Sequence, residues 1–178
     1  MTPTRSTARD DRLLLWAAGW FAAAVLFHNF DHVRRGAGSV STDVFVIGTA
    51  ALPLEVGIVA LVAQRHRAAA LAAAIAGFSL ATGYVVVHFL PARSWLSDSF
   101  TSGRNVSPLS WTAASLEVVA ATALAVAGLV ALKGRGGVAS ALQSRADQRS
   151  ARALILHPVV LVMALGNLTV LLASLAQR

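Results

Sequence analysis

The sequence predicts an all-α, polytopic transmembrane helix bundle of five spans, with four as the alternative. Three observations carry that prediction. Only 13% of the residues are charged and 56% are hydrophobic, against about 25% charged in an ordinary soluble domain. Mean hydropathy is +0.66. Five stretches, 13–33, 44–64, 68–90, 109–132 and 154–176, each meet the roughly 20 apolar residues that cross a hydrocarbon core. These runs are too long and too rich in alanine for the short alternating strands of a β-barrel.

Residues 1–12 read as a cytoplasmic N-terminal segment and 13–178 as a single transmembrane helical domain. Span one has the Arg-bearing start and Leu-rich run of a signal peptide. It is long, however, and ends in His28-Asn29-Phe30-Asp31-His32 without a small-residue cleavage site, so it reads as a retained helix. Arg34-Arg35-Gly36-Ala37-Gly38, Gln64-Arg65-His66-Arg67 and Lys133-Gly134-Arg135-Gly136-Gly137 punctuate the spans as loops. A longer connection, 91–108, opens at Pro91 and closes at Pro108, with Trp95 and Trp111 suited to an interfacial belt. The stretch 138–153 fits either a short surface helix or a polar loop. Small residues recur four apart, as Ala18 and Ala22, Ala73 and Gly77, Ser79 and Gly83, and Ala121 and Ala125. That spacing permits close helix approach, although an alanine-rich chain also generates it by chance.

Ten Lys and Arg residues fall on one side of this threading and five on the other. The positive-inside rule then places the N-terminus in the cytoplasm and the C-terminus outside. The net charge of +7 is scattered through short loops, which suits anionic headgroups and argues against nucleic acid. With no cysteine in the chain, thiol catalysis, disulfides and iron–sulfur clusters are excluded. High Ala, Val and Arg usage suggests a GC-rich bacterial genome, and so a cell membrane.

The polar exceptions within the spans gather on the extracytoplasmic side: His28, Asp31, His32, Glu55, His88, Asp98 and Glu117. An ionisable group in hydrocarbon is costly and by default marks a functional site. His28 and His32 are i and i+4, so both imidazoles leave one helical face, a recurrent zinc arrangement. His88 ends span three at the same depth, one turn after Tyr84. Ser110, Ala114 and Glu117 form a small and polar stripe on span four, with Glu117 about 12 Å in by helical rise. Glu55 lies near the midplane, two residues after Pro53, which removes a helix hydrogen bond. The expected geometry is a funnel, histidines at the mouth and carboxylates deeper, with the 91–108 loop above. His66 and His157 belong to the opposite side.

Imidazole with carboxylate suits a divalent metal, zinc foremost, with His28, His32 and His88 as ligands. Zinc with an open position lowers the pKa of bound water to about 7. Glu117 or Asp98 would then act as general base or orient a ligand imidazole. Asp31, Glu55, Tyr84 and Ser110 complete the expected pocket. In residue types alone, three His with Asp and Ser resemble the set of zinc-dependent membrane hydrolases of the alkaline ceramidase and adiponectin-receptor type. The seven-helix order and motif spacing of those proteins are absent here, so the likeness implies a chemistry and no membership. Haem between His88 and His28 or His32 is a weaker fit.

Three functions follow as expectations. The first is metal-dependent chemistry on a lipid or other apolar substrate. The second is a proton-coupled carrier using Glu55 and Glu117, although five spans without an inverted repeat are few for a transporter. The third is a small non-catalytic subunit of a membrane complex or homo-oligomer, its polar residues gluing helices together.

Overall fold

A computed structural model describes residues 5–91, 97–137 and 158–176. All regular structure among them is helical. Helix α1 spans Arg5–Arg35, longer at its start than the apolar run because the mostly polar residues 5–12 continue the helix. The Arg135 guanidinium, just past the helix that ends at Gly134, donates to Asp11 and ties that extension to the same end of the bundle. At the other end, Arg34 and Arg35, expected in a loop, complete the last turn of α1.

Gly36 then takes φ +87°, a conformation that favours glycine, and a 3-10 turn over Ala37–Ser39 leads into the next helix. Helix α2, Thr42–Ala63, is capped by the Ser41 hydroxyl accepting from the Val44 amide at 3.3 Å. Pro53 lies inside it. Helix α3 covers Ala69–Tyr84 and passes directly into a π-helical turn, Val85–Phe89. The sequence predicts uninterrupted helix here. Helix α4, Pro108–Gly134, starts with Pro108 in its first turn and a reciprocal Ser107–Ser110 capping box. Helix α5 is Pro158–Ala176.

Four helical segments, Ala8–Arg35, Thr42–Ala63, Ala69–Phe89 and Pro108–Gly134, are long and apolar enough to cross a membrane. A fifth apolar segment, Val160–Thr169 within α5, is shorter among the described residues. Of the five expected spans, four therefore reach full length among the described residues. Residues 138–153, His157 and Trp95 lie outside the described set.

The core lies between α1, α3 and α4, around Phe21, Val25, Leu124 and a bed of alanines. Two glycines explain how closely α3 and α4 approach. A Cβ on Gly77 would stand 2.7 Å from the Ala121 carbonyl oxygen, and one on Gly128 would stand 2.7 Å from that of Ala70. The pairings are reciprocal, so each helix seats its glycine on the other's backbone, as small residues do in lipid-phase packing. Helix α2 packs less closely on its neighbours and leaves a cavity against α1 and α3. On the outer surface Trp16, Phe30, Ile75, Val162 and Leu165 stand exposed, an apolar covering too extensive for an ordinary water-soluble monomer.

Candidate metal centre

Three imidazoles meet where the C-terminal turns of α1 and the end of α3 come together. His28 and His32, one turn apart, have ring centroids 4.5 Å apart and nearly perpendicular. The His88 ring stands 4.7 Å from His28 and 5.8 Å from His32. One ring nitrogen from each residue lies within 4.8 Å of the other two. His28 and His88 are buried, and Nδ1 of both His28 and His32 is buried without a hydrogen-bond partner. Leaving a buried polar atom unpaired costs about 1–3 kcal/mol, so the arrangement suits an occupant that accepts nitrogen lone pairs. A tetrahedral ion with bonds of about 2.0–2.1 Å sets its donors roughly 3.4 Å apart. The donor atoms then close by at most about 1.4 Å, within the reach of rotamer adjustment.

The π-helical turn aims His88 and frees backbone groups to hold a loop. The Val87 carbonyl accepts from the Asp98 amide at 3.1 Å, and that of His88 accepts from the Phe100 amide at 2.9 Å. π-turns within helices are frequent at functional sites for this reason: the changed register re-aims one side chain. The described part of the loop, from residue 97 to the start of α4, lies over the mouth of the funnel. Its Phe100 ring packs on His88 at 4.7 Å and on Trp111 at 5.5 Å.

Asp98 completes the shell around the histidines. Its carboxylate Oδ2 is 3.5 Å from His88 Nδ1 and 4.0 Å from His32 Nδ1. The Asp98 carbonyl oxygen is 3.3 Å from His88 Nδ1. Both carboxylate oxygens also accept from Arg35, at 2.6 and 2.8 Å. Burial works to raise the Asp98 carboxyl, and hydrogen bonds from His88 and Arg35 together with the Arg35 charge outweigh it, holding the group below its ordinary range. The buried Arg35 guanidinium also lies over the Phe100 ring, 5.1 Å from its centroid, and donates to the Arg104 carbonyl at 3.2 Å.

Beneath the histidines the polar groups continue inward. Glu117 Oε2 is 3.6 Å from His28 Nε2. The Tyr84 hydroxyl donates to Glu55 Oε1 at 2.8 Å and reaches Glu117 as well. All three, with the three histidines, line a cavity of about 260 Å³ whose remaining walls are mainly aliphatic, among them Val44, Leu52, Leu80 and Val87.

The structure thus brings together His28, His32, His88, Asp98, Glu55, Tyr84 and Glu117. It does not bring Asp31 and Ser110 to the cavity, whose lining excludes both. Arg34 occupies them instead: its Nε donates to Asp31 Oδ1 at 2.8 Å, and Nη2 donates to the hydroxyl of Ser110 at 3.0 Å and of Ser107 at 3.1 Å. Asp31 and Ser110 therefore tie α1 to the start of α4. Sequence reasoning treated Arg34 and Arg35 as loop charges and missed both, together with Phe100. The i, i+3 spacing of Asp31 and Arg34 was the available signal for one of them. His66 caps the turn before α3, its Nδ1 accepting from the Ala68 amide at 3.2 Å. Compared with models of known protein families, with curated proteins and with solved structures, the chain finds no match.

Proposed function

We propose that this is an integral membrane protein in which His28, His32 and His88 hold a divalent transition metal, zinc by preference, for chemistry on a lipid or other apolar substrate. One observation carries the reading. Three imidazoles from two helices converge within 4.8 Å while two of their buried nitrogens lack a hydrogen-bond partner. Three histidines with room for a fourth ligand suit zinc, which supplies Lewis acidity and lowers the pKa of a bound water.

The surrounding residues divide the remaining work. Asp98 orients His88 from behind, in the manner of a carboxylate–histidine pair, and Arg35 holds Asp98 in place. Glu117, beside His28 and facing the cavity, is the group placed to take a proton as general base. The mainly aliphatic walls receive the apolar part of the substrate. By the charge bias of the loops the site opens on the extracytoplasmic side of a cell membrane, with the N-terminus in the cytoplasm.

The test is metal analysis of protein purified in mild detergent after growth with added zinc. About one equivalent per chain is expected, falling by most of its value in His28→Ala and His88→Ala. Wild-type protein without bound transition metal under these conditions would falsify the ligand assignment.

A further inference from the structure

The inner part of the cavity has chemistry that a metal at the histidines does not account for. Glu55 is 3% exposed and lines the cavity, and its Oε2 has no hydrogen-bond partner. Glu117 is 2% exposed, and its Oε2 is likewise without a hydrogen bond. Tyr84 stands between them with a single hydroxyl proton, which serves one acid at a time. No lysine or arginine is among the described residues lining the cavity. Arg34 and Arg35, the nearest in sequence to the histidines, are committed to Asp31 and Asp98. Two buried acids thus share a mainly aliphatic chamber that no lysine or arginine of the described residues lines. A buried charge without a counter-charge or a donor is strongly disfavoured.

We propose that Glu55, with Tyr84 and Glu117, receives the protonated amine of a single-chain amphiphile whose alkyl part fills the cavity. An alkylammonium carries three N–H donors and one positive charge, matching two open carboxylate oxygens and the missing counter-charge. An alcohol brings one donor and no charge. A carboxylic acid brings further negative charge against two existing acids. The volume, about 260 Å³, holds eight or nine groups of roughly 30 Å³ each, the size of a medium-length chain. Gly48 and Gly83 are among the lining residues, and a Cβ built on either meets nothing within 4 Å. The inference names the substrate class for the site proposed above and rests on that reading for the link to chemistry. The amine receptor itself stands on Glu55.

Octylamine, 1-octanol and octanoate are the probes, titrated into zinc-replete protein in mild detergent. Apparent Kd is read from the concentration dependence of the thermal midpoint, and metal content is measured on the same preparations. Octylamine is expected to bind at least tenfold more tightly than octanol, with octanoate weakest. Glu55→Gln should lose tenfold or more of the octylamine affinity and little of the octanol affinity. Gly83→Leu, which adds bulk at a lining position where a Cβ meets nothing within 4 Å, should weaken both alcohol and amine. Octylamine binding no better than octanol, or equally well to wild type and Glu55→Gln, overturns the amine receptor. If metal is bound in that case, the metal reading stands alone. Octylamine preference without bound metal supports the receptor and removes the metal reading instead.

Discussion

Arg35 grips Asp98 through two hydrogen bonds, 2.6 and 2.8 Å long, joining the last residue of α1 to the loop above the histidines. The side chains of both are almost wholly buried, at 0% and 2% exposure. The pair closes the mouth of the site, since Asp98 also faces His88 and the Arg35 guanidinium lies over Phe100, which covers the His88 ring. A single contact thus couples the position of the loop to the orientation of His88, one of the proposed metal ligands.

Removing one partner leaves an uncompensated charge inside the protein, at a cost of about 3–5 kcal/mol. Arg35→Ala and Asp98→Ala are therefore expected to lower the thermal midpoint sharply. Arg35→Met with Asp98→Leu should be milder than either single change, because two apolar side chains leave no stranded charge. Asp98→Ala should also weaken metal binding, about 10–100-fold, through loss of His88 orientation. Unfolding in mild detergent, followed by circular dichroism, measures the first effect and metal titration the second. Equal destabilisation by single and double variants would show that packing, not charge, holds the loop.

Much of this arrangement was legible before the structure. Apolar run length marked the helices, and i, i+4 spacing put His28 and His32 on one face because helical geometry alone decides it. His88, Glu55 and Glu117 followed from counting depth along spans. What escaped depends on contacts between distant segments. The run Val85-Val86-Val87 reads equally well as α-helix, and its π-helical form is held by amides of Asp98 and Phe100 that come from a loop. Arg35 reads as a charge for the membrane surface until Asp98, 63 residues away, arrives to pair with it. Asp31 lies on the side of α1 that meets α4, and only the tertiary position of Arg34 reveals that it is engaged there.

Two glycines on α3 should respond in opposite ways to the same substitution. Gly77→Ala forces a Cβ to within 2.7 Å of the Ala121 carbonyl oxygen and 2.8 Å of the Ala125 amide nitrogen. Neither backbone atom yields easily, so the helices must part, at about 1–3 kcal/mol. Gly83→Ala meets nothing within 4 Å, and the helical preference of alanine adds about 0.5–1 kcal/mol of stability. Thermal midpoints of the two variants compared with wild type decide the matter. A Gly77→Ala protein as stable as wild type would mean that α3 and α4 are not seated on each other's backbone.

Metal should stabilise the fold as well as occupy the site. An ion that binds the native state alone, supplied at a thousand times its Kd, adds about 4 kcal/mol by mass action. Chelator-stripped protein is thus expected to melt several degrees below zinc-loaded protein, with the difference restored on adding zinc. His88→Ala, which removes a ligand, should melt at the same temperature with or without zinc. A zinc response that persists undiminished in His88→Ala would locate the bound ion elsewhere, for instance on exposed acidic residues.

Glu117 is the position at which metal binding and chemistry separate most cleanly. Its Oε2 lies 3.6 Å from His28 Nε2 and faces the cavity, whereas Asp98, the other acid near the histidines, has both oxygens engaged by Arg35. A base needs a free oxygen within reach of the reacting proton. Glu117→Gln keeps the shape of the side chain and removes that basicity. It is expected to retain the zinc of wild type, within a factor of two, while hydrolysis of 4-nitrophenyl octanoate, an apolar ester that serves as a probe, falls by about 10²–10⁴. Asp98→Asn acts through His88 and should instead reduce zinc content and rate together, because its oxygens are held by Arg35 and lie outside the cavity lining. Loss of zinc in Glu117→Gln would make Glu117 a ligand and not a base, and an unchanged rate with zinc retained would remove it from the chemistry altogether.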